Sequence, residues 1–211
     1  MECAIAVLAR GWGRPGGGGL GSLTFRGVIE EDGVRHLGGR GTVSRTTLVY
    51  YFGNRIGLLG AVAAEGFRRL EHGLDSVSGR GGLKTLRALG GTYLDFGLGN
   101  PALFHAMYAP EVWTSLKNGD WSAPTAMQWL TLAESERDAC FGHFRAAVMD
   151  AQSDGSLRKG APEHLARTVT ALVDGLLFQA LIENVKDRVS EERLAAELGR
   201  SLDYIIEGLR A

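Results

Sequence analysis

The sequence predicts an all-α protein, and three observations support this fold class. Apolar residues recur at a helical period of about 3.6 from residue 56 onward, whereas the alternation typical of half-buried strands is absent. Helix start signals stand at the expected places, such as Asn54 before Arg55 and Pro101 at a first helical position. With 45% hydrophobic residues among 211, the chain has enough apolar surface to bury a core.

The predicted helices fall into two groups of different length. The first three are short and bury little area alone, so we expect an N-terminal three-helix domain over 1–54. The later helices predict a larger helical bundle over 55–211. The predicted ranges are 2–10, 24–32, 44–51, 55–78, 82–98, 101–108, 123–153, 162–185 and 190–209.

Two glycine-dense stretches, 11–21 and 33–41, are predicted to be loops within the first group. Gly16, Gly18 and Gly21 have the spacing of a dinucleotide-binding fingerprint. That fingerprint requires a strand before it, and a helix-like segment precedes it here, so a connecting loop is favoured and no cofactor is predicted.

Cysteine usage and the absence of known motifs limit the functional classes. Cys3 and Cys140 match no metal-ligand spacing and are expected to be unpaired thiols in a reducing compartment, the cytoplasm. Every long apolar run is interrupted by charge, so no membrane span is predicted. The five histidines are scattered and no catalytic motif is present. The sequence therefore predicts neither an enzyme nor a metal site, apart from any site that only the fold assembles.

Charge is distributed unevenly along the chain. Residues 1–57 contain seven Arg and four acidic residues, a net +3, which leaves −4 for 58–211 within the total of −1. A basic N-terminal part suggests that this part of the chain has a polyanionic partner. A chance fluctuation of a few charges is the competing interpretation.

The stretch VSRTTLVYYFGN, starting at Val43, predicts a short helix with an unusual composition. Ser44 is a suitable N-cap, and Leu48 and Phe52 form an apolar stripe. The other sides carry groups that bind DNA: arginine reads guanine, threonine offers a hydroxyl and a methyl, and tyrosine donates to phosphate. Together with the preceding helix at 24–32, this predicts a helix-turn-helix. Packing beneath a bundle is the alternative, and we prefer it for Phe52.

Residues 22–62 resemble the DNA-binding region of TetR-family transcriptional regulators. The matching positions are Leu23, Thr24, Phe25, Val28, Ile29, Val43, Ser44, Thr47, Leu48, Tyr50, Phe52, Asn54, Arg55, Leu58 and Leu59. The resemblance implies that Arg45, Thr46 and Thr47 face bases and that Tyr50 and Arg55 hold phosphate. The full predicted DNA-binding set is Thr24, Ser44, Arg45, Thr46, Thr47, Tyr50, Tyr51 and Arg55.

The chain departs from the family pattern in the turn. Family members pass from Gly-Val directly to Ser, whereas here an insertion of about nine residues, 35–43, lengthens a turn that normally takes three or four. Val49 stands where a phosphate-binding tyrosine is usual, and Tyr51 where a histidine is common. The alternative function is therefore a helical ligand-binding dimer with weakened or lost DNA binding.

The second half resembles the C-terminal region of the WHG-type subgroup of the same family. Val173 and Asp174 precede Gly175 where the subgroup has Trp and His. The other matching positions are Tyr93, Phe96, Asn100, Pro101, Leu103, Phe104 and Met107. The resemblance implies a pocket for a small apolar inducer, for which ordinary core packing is the competing interpretation at each aromatic residue. The predicted ligand-binding residues are Phe96, Phe104, Met107, Tyr108, Trp113, Trp129, Phe141, Phe144, Asp174 and Phe178.

The resemblance also implies a homodimer formed by the last two helices, each of which carries an apolar stripe. The stripes are Leu165, Val169, Leu172, Leu176 and Ala180 on one helix, and Leu194, Leu198, Leu202, Ile205 and Leu209 on the next. Burial within one chain is an equally good explanation for half of these positions. The predicted function is a cytoplasmic, homodimeric repressor that binds a near-palindromic operator and is released by its inducer.

Overall fold

The computed structural model describes residues 23–24, 44–77, 81–119, 123–187 and 191–210. These residues form eight α-helices and no strand, apart from one isolated bridge between Leu157 and Arg210. The predicted all-α class is thereby confirmed. The helices are α1 (Arg45–Phe52), α2 (Arg55–Asp75), α3 (Gly82–Gly99), α4 (Pro101–Met107), α5 (Pro110–Asn118), α6 (Pro124–Ser153), α7 (Pro162–Asp187) and α8 (Glu191–Glu207).

Several predictions fall on parts of the chain that are not described. The predicted helix at 2–10, nearly all of the predicted helix at 24–32, both glycine-rich stretches and the insertion at 35–43 lie outside the described residues. Cys3 lies outside them as well. Cys140 is buried, and its sulfur belongs to no disulfide among the described residues.

Helix α5 was missed by the sequence analysis, which placed no element between 108 and 123. It begins with Pro110 in its first turn and Glu111 beside it, and it ends at Gly119 in the left-handed conformation (φ 65°, ψ 51°). Proline and an acidic residue at the start, Lys117 near the end and glycine beyond are all helix signals. The sequence analysis predicted no helix here, although these signals lie within the segment.

Contacts divide the chain into two compact units. The first comprises the described residues up to Arg68 together with Pro101–Arg137, and the second comprises Arg69–Asn100 and the described residues from Asp138 onward. The division falls inside α2 and inside α6. It groups residues by packing, so the predicted functional boundary after residue 54 stays a prediction.

Small residues allow α2 and α6 to approach closely in the first unit. A Cβ added to Gly57 would lie 2.8 Å from the Ala126 Cα and 1.9 Å from the Phe52 carbonyl oxygen, both backbone atoms. Further along the same contact, Ala63, Ala64 and Ala133 are fully or nearly fully buried. Backbone-to-backbone packing therefore positions the start of α2 beneath α1.

In the second unit, α3, α7 and α8 pack against one another pairwise. Gly90 lies against Leu202 of α8, and Gly97 lies against Leu177 of α7. The buried residues among the described side chains of α7 and α8 are Ala166, Val169, Val173, Leu177, Ala180, Leu181, Leu194, Leu198, Leu202 and Ile206, and Leu209 just beyond α8 is buried as well. Most positions of the stripes predicted for a dimer seam are thus core within one chain, which was the competing interpretation, whereas Leu172 is 44% exposed.

Charged side chains also join α3 to other parts of the second unit. The Arg87 guanidinium donates two hydrogen bonds to the Asp203 carboxylate of α8, one of them 2.8 Å long. Asp154 accepts from the Gly82 amide at 3.1 Å and so satisfies a donor at the start of α3. None of the described helices is both long and apolar enough to cross a lipid bilayer.

Candidate functional site

Ser44 caps the N-terminus of α1. Its backbone is extended (φ −81°, ψ 156°), and its hydroxyl accepts a hydrogen bond from the Thr47 amide at 3.1 Å. The same oxygen lies 2.9 Å from the Thr47 hydroxyl. A helix start leaves amides without intrahelical partners, and this cap satisfies one of them. The predicted N-cap is confirmed.

The other end of α1 passes directly into α2. Gly53 has a positive φ of 73°, a conformation that strains most side chains, and its amide donates to the Val49 carbonyl at 2.8 Å. Asn54 Oδ1 then accepts from the Gly57 amide at 2.9 Å and caps α2, as its sequence position predicted. Gly53 therefore ends α1, and Asn54 directly after it begins α2.

Helix α1 buries one side chain, half-buries Phe52 and exposes the others. Leu48 is buried, whereas Tyr50 and Tyr51 are 76% and 57% exposed, with their rings edge to face and centroids 5.3 Å apart. The other exposed side chains of the helix are Arg45, Thr46, Thr47 and Val49. A guanidinium, two hydroxyls and two phenols thus share the surface of a two-turn helix, and each of these groups can bind a DNA base or phosphate.

Trp129 of α6 holds α1 in place. Its Nε1 donates to the Tyr51 carbonyl at 2.7 Å, and its ring lies 5.7 Å from that of Phe52, measured between centroids. Phe52 is half-buried, in agreement with its predicted packing role. Trp129 was predicted to bind a ligand. The contacts observed for it stabilise α1, because a carbonyl near the end of this helix gains a donor, and its ligand-binding role stays a prediction.

Two predicted DNA-binding residues lie away from the exposed surface of α1. Arg55 is half-buried, and its Nε donates to the Leu23 carbonyl at 3.2 Å. Thr24 is also half-buried and follows Leu23, which is fully buried. Arg55 therefore connects the segment at 23–24 to the start of α2, a structural contact that the sequence did not predict.

Four of the predicted ligand-binding residues form an aromatic group in the first unit. Phe67 of α2, which the sequence analysis did not select, lies at its centre: its ring centroid is 5.7 Å from that of Tyr108 and 6.1 Å from that of Trp113. Trp113 Nε1 donates to the Met107 carbonyl at 3.0 Å, and Phe104 packs on Tyr108 at 5.1 Å between centroids. Gly66 lies close to the Met107 side chain, so this part of α2 is packed within the core of the first unit.

His105, next to this aromatic group in sequence, is half-buried. Burial lowers its pKa below the ordinary histidine value, because desolvation disfavours the imidazolium. His105 is therefore neutral at physiological pH.

The other predicted ligand-binding residues lie in the second unit. The Tyr93 hydroxyl donates to Asp174 Oδ1 at 2.5 Å, and the Tyr93 ring packs edge to face on Phe144 at 6.1 Å between centroids. Phe96 and Phe178 are half-buried, and the Arg167 guanidinium lies over the Phe141 ring at 5.2 Å. The mid-helix carboxylate of Asp174 is thus compensated by a tyrosine hydroxyl, the pairing expected for a polar group in an apolar stretch.

A cleft of about 470 Å³ lies beside the start of α3 in the second unit. None of the ten predicted ligand-binding residues lines it. Its lining residues are Gly81, Leu83, Lys84, Asp154, Gly155, Ser156 and Arg210. The predicted pocket therefore stays a prediction that the described cavity does not support.

Comparison with known proteins gives the family of the fold. The sequence model of the C-terminal region of BetI-type transcriptional repressors matches residues 126–207. Over nearly the whole chain, the structure is similar to a putative TetR-family transcriptional regulator from Rhodococcus sp., with a TM-score of 0.60 and 21% identity, covering 98% of this chain and 100% of that one. This chain has the TetR-family fold.

Two further solved structures agree with the TetR fold. The TetR-family regulator PfmR from Thermus thermophilus matches with a TM-score of 0.63 and 14% identity, covering 98% of this chain and 96% of that one. The fatty acid degradation regulator FadR from Bacillus halodurans matches with a TM-score of 0.68 and 13% identity, covering 99% and 97%. A search of curated protein sequences finds no match.

The comparisons confirm the predicted TetR-family resemblance. The C-terminal type that matches is BetI, whereas the residues from Tyr93 to Met107 had indicated the WHG type. The family model that matches and the three solved structures named above are of transcriptional regulators. In this TetR fold, α1 and the start of α2 are the segment in which the sequence resembled a DNA-binding region.

Proposed function

We propose that the chain is a transcriptional repressor that binds a near-palindromic operator as a homodimer and is released by a small apolar inducer. The observation that carries the proposal is the outer surface of α1, where polar and aromatic side chains surround a single buried leucine in a TetR fold. A helix so short gains little stability from burial, so its exposed residues are available for recognition.

The chemistry of this surface suits DNA. Arg45 would form two hydrogen bonds with a guanine, and Thr46 and Thr47 would contact neighbouring base edges. Tyr50 and Tyr51, together with Ser44 at the helix start, would donate to phosphates. The net +3 over residues 1–57 adds a sequence-independent attraction for the phosphate backbone. Two such helices in a symmetric dimer would enter successive major grooves.

The inducer would bind to apolar surface in the helical bundle. Each unit has an aromatic group, around Phe67 in the first and around Tyr93 and Phe144 in the second. Small-molecule sites are mainly apolar with a few polar groups that orient the ligand, and Asp174 would be such a group. Binding that favours one conformation over another would lower operator affinity by shifting the population. A repressor of this kind acts on DNA in the cytoplasm.

Fluorescence anisotropy with a labelled duplex from upstream of the chain's own gene tests the proposal. We expect the protein to bind this duplex more tightly than a scrambled duplex of equal length. The logarithm of the binding constant for both duplexes should fall linearly with the logarithm of salt concentration, because phosphate contacts release counterions. No binding even at low salt would refute DNA recognition and favour the helical ligand-binding dimer.

A further inference from the structure

Two carboxylates and an imidazole meet on the second unit, and none of the three belongs to the residues proposed for DNA or inducer binding. Glu71 and Asp75 stand one helical turn apart on α2, and His143 approaches both from α6. His143 Nε2 lies 3.5 Å from Glu71 Oε1 and 3.7 Å from Asp75 Oδ1. We propose that these three side chains bind a divalent transition-metal ion of the zinc type.

The distances from His143 to the two carboxylates are closer to the spacing of metal ligands than to the length of a hydrogen bond. An N–H···O hydrogen bond is about 2.7–3.2 Å long, so both separations from His143 are too long for a good one. Ligands at about 2.0–2.2 Å from a tetrahedral zinc ion lie about 3.3–3.6 Å from each other. The observed 3.5 Å lies within this second range and 3.7 Å lies just above it, and all three donor atoms lie within 4.8 Å of one another.

The type of donor selects the class of metal. Imidazole nitrogen suits zinc, nickel and copper, whereas calcium and magnesium prefer six or more oxygen ligands. Three protein ligands would leave a fourth position for water, as in zinc sites that stay open. His143 and Glu71 are 25% and 30% exposed, so an ion from solvent can reach them without unfolding the helices.

The local electrostatics favour a cation. Glu71 and Asp75 are like charges at positions i and i+4, an arrangement that destabilises a helix unless a positive charge compensates. Both lie in the last two turns of α2, where the carbonyl ends of the helix attract cations. A bound ion would neutralise the pair and tie this end of α2 to α6 within the second unit.

The test uses tag-free, full-length protein freed of metal by dialysis against a chelator. Calorimetric titration with zinc chloride should show one equivalent bound per chain, and zinc should raise Tm, since an ion bound only by the folded state stabilises it. His143→Ala and Glu71→Gln should each weaken zinc affinity at least about tenfold. His72→Ala should not, because His72 is an exposed imidazole on the same helix outside the cluster.

Absence of zinc binding in the wild-type protein, or equal affinity in the wild-type protein and both cluster variants, would overturn the proposal. Circular dichroism of each variant checks folding, and Glu71→Gln preserves side-chain shape if the alanine variant unfolds. The proposal does not depend on the proposed function, since zinc affinity is measured without DNA.

Discussion

Recognition of a specific DNA sequence by α1 depends most on Arg45. It is exposed at the first position of the helix, and no other arginine belongs to α1. Arg45→Ala should weaken binding to the specific operator by about 1–3 kcal/mol, because a bidentate contact with guanine is lost. Anisotropy titrations measure the change on operator and on scrambled DNA.

A matched control for this experiment is Arg158→Ala, which removes an equally charged, exposed side chain from the second unit. Its affinity for both duplexes should stay at the wild-type value. If Arg45→Ala weakened binding to operator and scrambled DNA equally, its base-reading role would be refuted and a phosphate contact would replace it.

The ion pair of Asp203 with Arg87 leads to a second prediction at the residue scale, which concerns how the stability of the protein depends on pH. The hydrogen bonds from Arg87 lower the pKa of the Asp203 carboxyl below its ordinary value, and its attraction to the guanidinium acts in the same direction. A depressed carboxyl pKa in the folded state stabilises the protein above the unfolded-state pKa and ceases to do so as pH falls through the folded-state value. The stabilisation is therefore present at neutral pH and absent in acid.

Asp203→Asn should thus lower the free energy of unfolding at pH 7, by less than about 1 kcal/mol because the pair is exposed to solvent. The difference from wild type should vanish well below the ordinary aspartate pKa of about 3.9. Urea unfolding of both proteins at each pH provides the measurement. A difference that persisted in acid would mean that the asparagine acts through packing.

Helix packing makes a prediction at the scale of elements. At Gly57, α2 contacts backbone atoms that a side chain would displace, whereas no heavy atom lies within 4 Å of the Cβ position at Gly91 in α3. Gly57→Ala should lower the free energy of unfolding by about 1–3 kcal/mol through overpacking. Gly91→Ala should raise it by about 0.5–1 kcal/mol, because alanine is the better helix former.

Chemical denaturation measures the free energy of unfolding of the two variants and shows whether close packing or helix propensity has the larger effect at each glycine. Both substitutions add one methyl group to a glycine within a helix, so they differ only in surroundings. Stabilisation by Gly57→Ala would show that α2 and α6 can separate at this point, and the close approach described for the first unit would not hold.

The helix boundaries show how well local sequence signals predict where helices begin and end. The predicted helix over 82–98 was observed at Gly82–Gly99, and that over 101–108 at Pro101–Met107. Glycine, proline and asparagine end or begin helices through their own backbone preferences, so neighbouring residues determine these limits. Helix α5 was missed although Pro110, Glu111 and Gly119 are start and end signals of the same kind.

Assembly is the question at the scale of the whole molecule. Because α7 and α8 use most of their predicted stripes inside one chain, a homodimer through these helices must use other faces. Among the described side chains of these two helices, the large apolar ones that are exposed are Leu172 of α7 and Tyr204 of α8, the latter 79% exposed. Apolar surface of this kind is what a dimer interface buries.

The double variant Leu172→Glu, Tyr204→Glu should therefore shift the protein toward monomer in sedimentation-velocity experiments, because two charges would be buried at the interface. Leu132→Glu, at a similarly exposed leucine in the first unit, should leave the mass unchanged. A double variant that stays dimeric would place the interface elsewhere.

The sequence by itself determined the helical class, nearly all helix limits in the described residues, and the exposed chemistry of α1. Periodicity, capping and composition act over a few residues, and the sequence displays them directly. Only the tertiary structure decided which faces of α7 and α8 form the core, that Trp129 supports α1, and that His143 meets Glu71 and Asp75. These outcomes depend on contacts between residues far apart in the chain, and local patterns contain no information about such contacts.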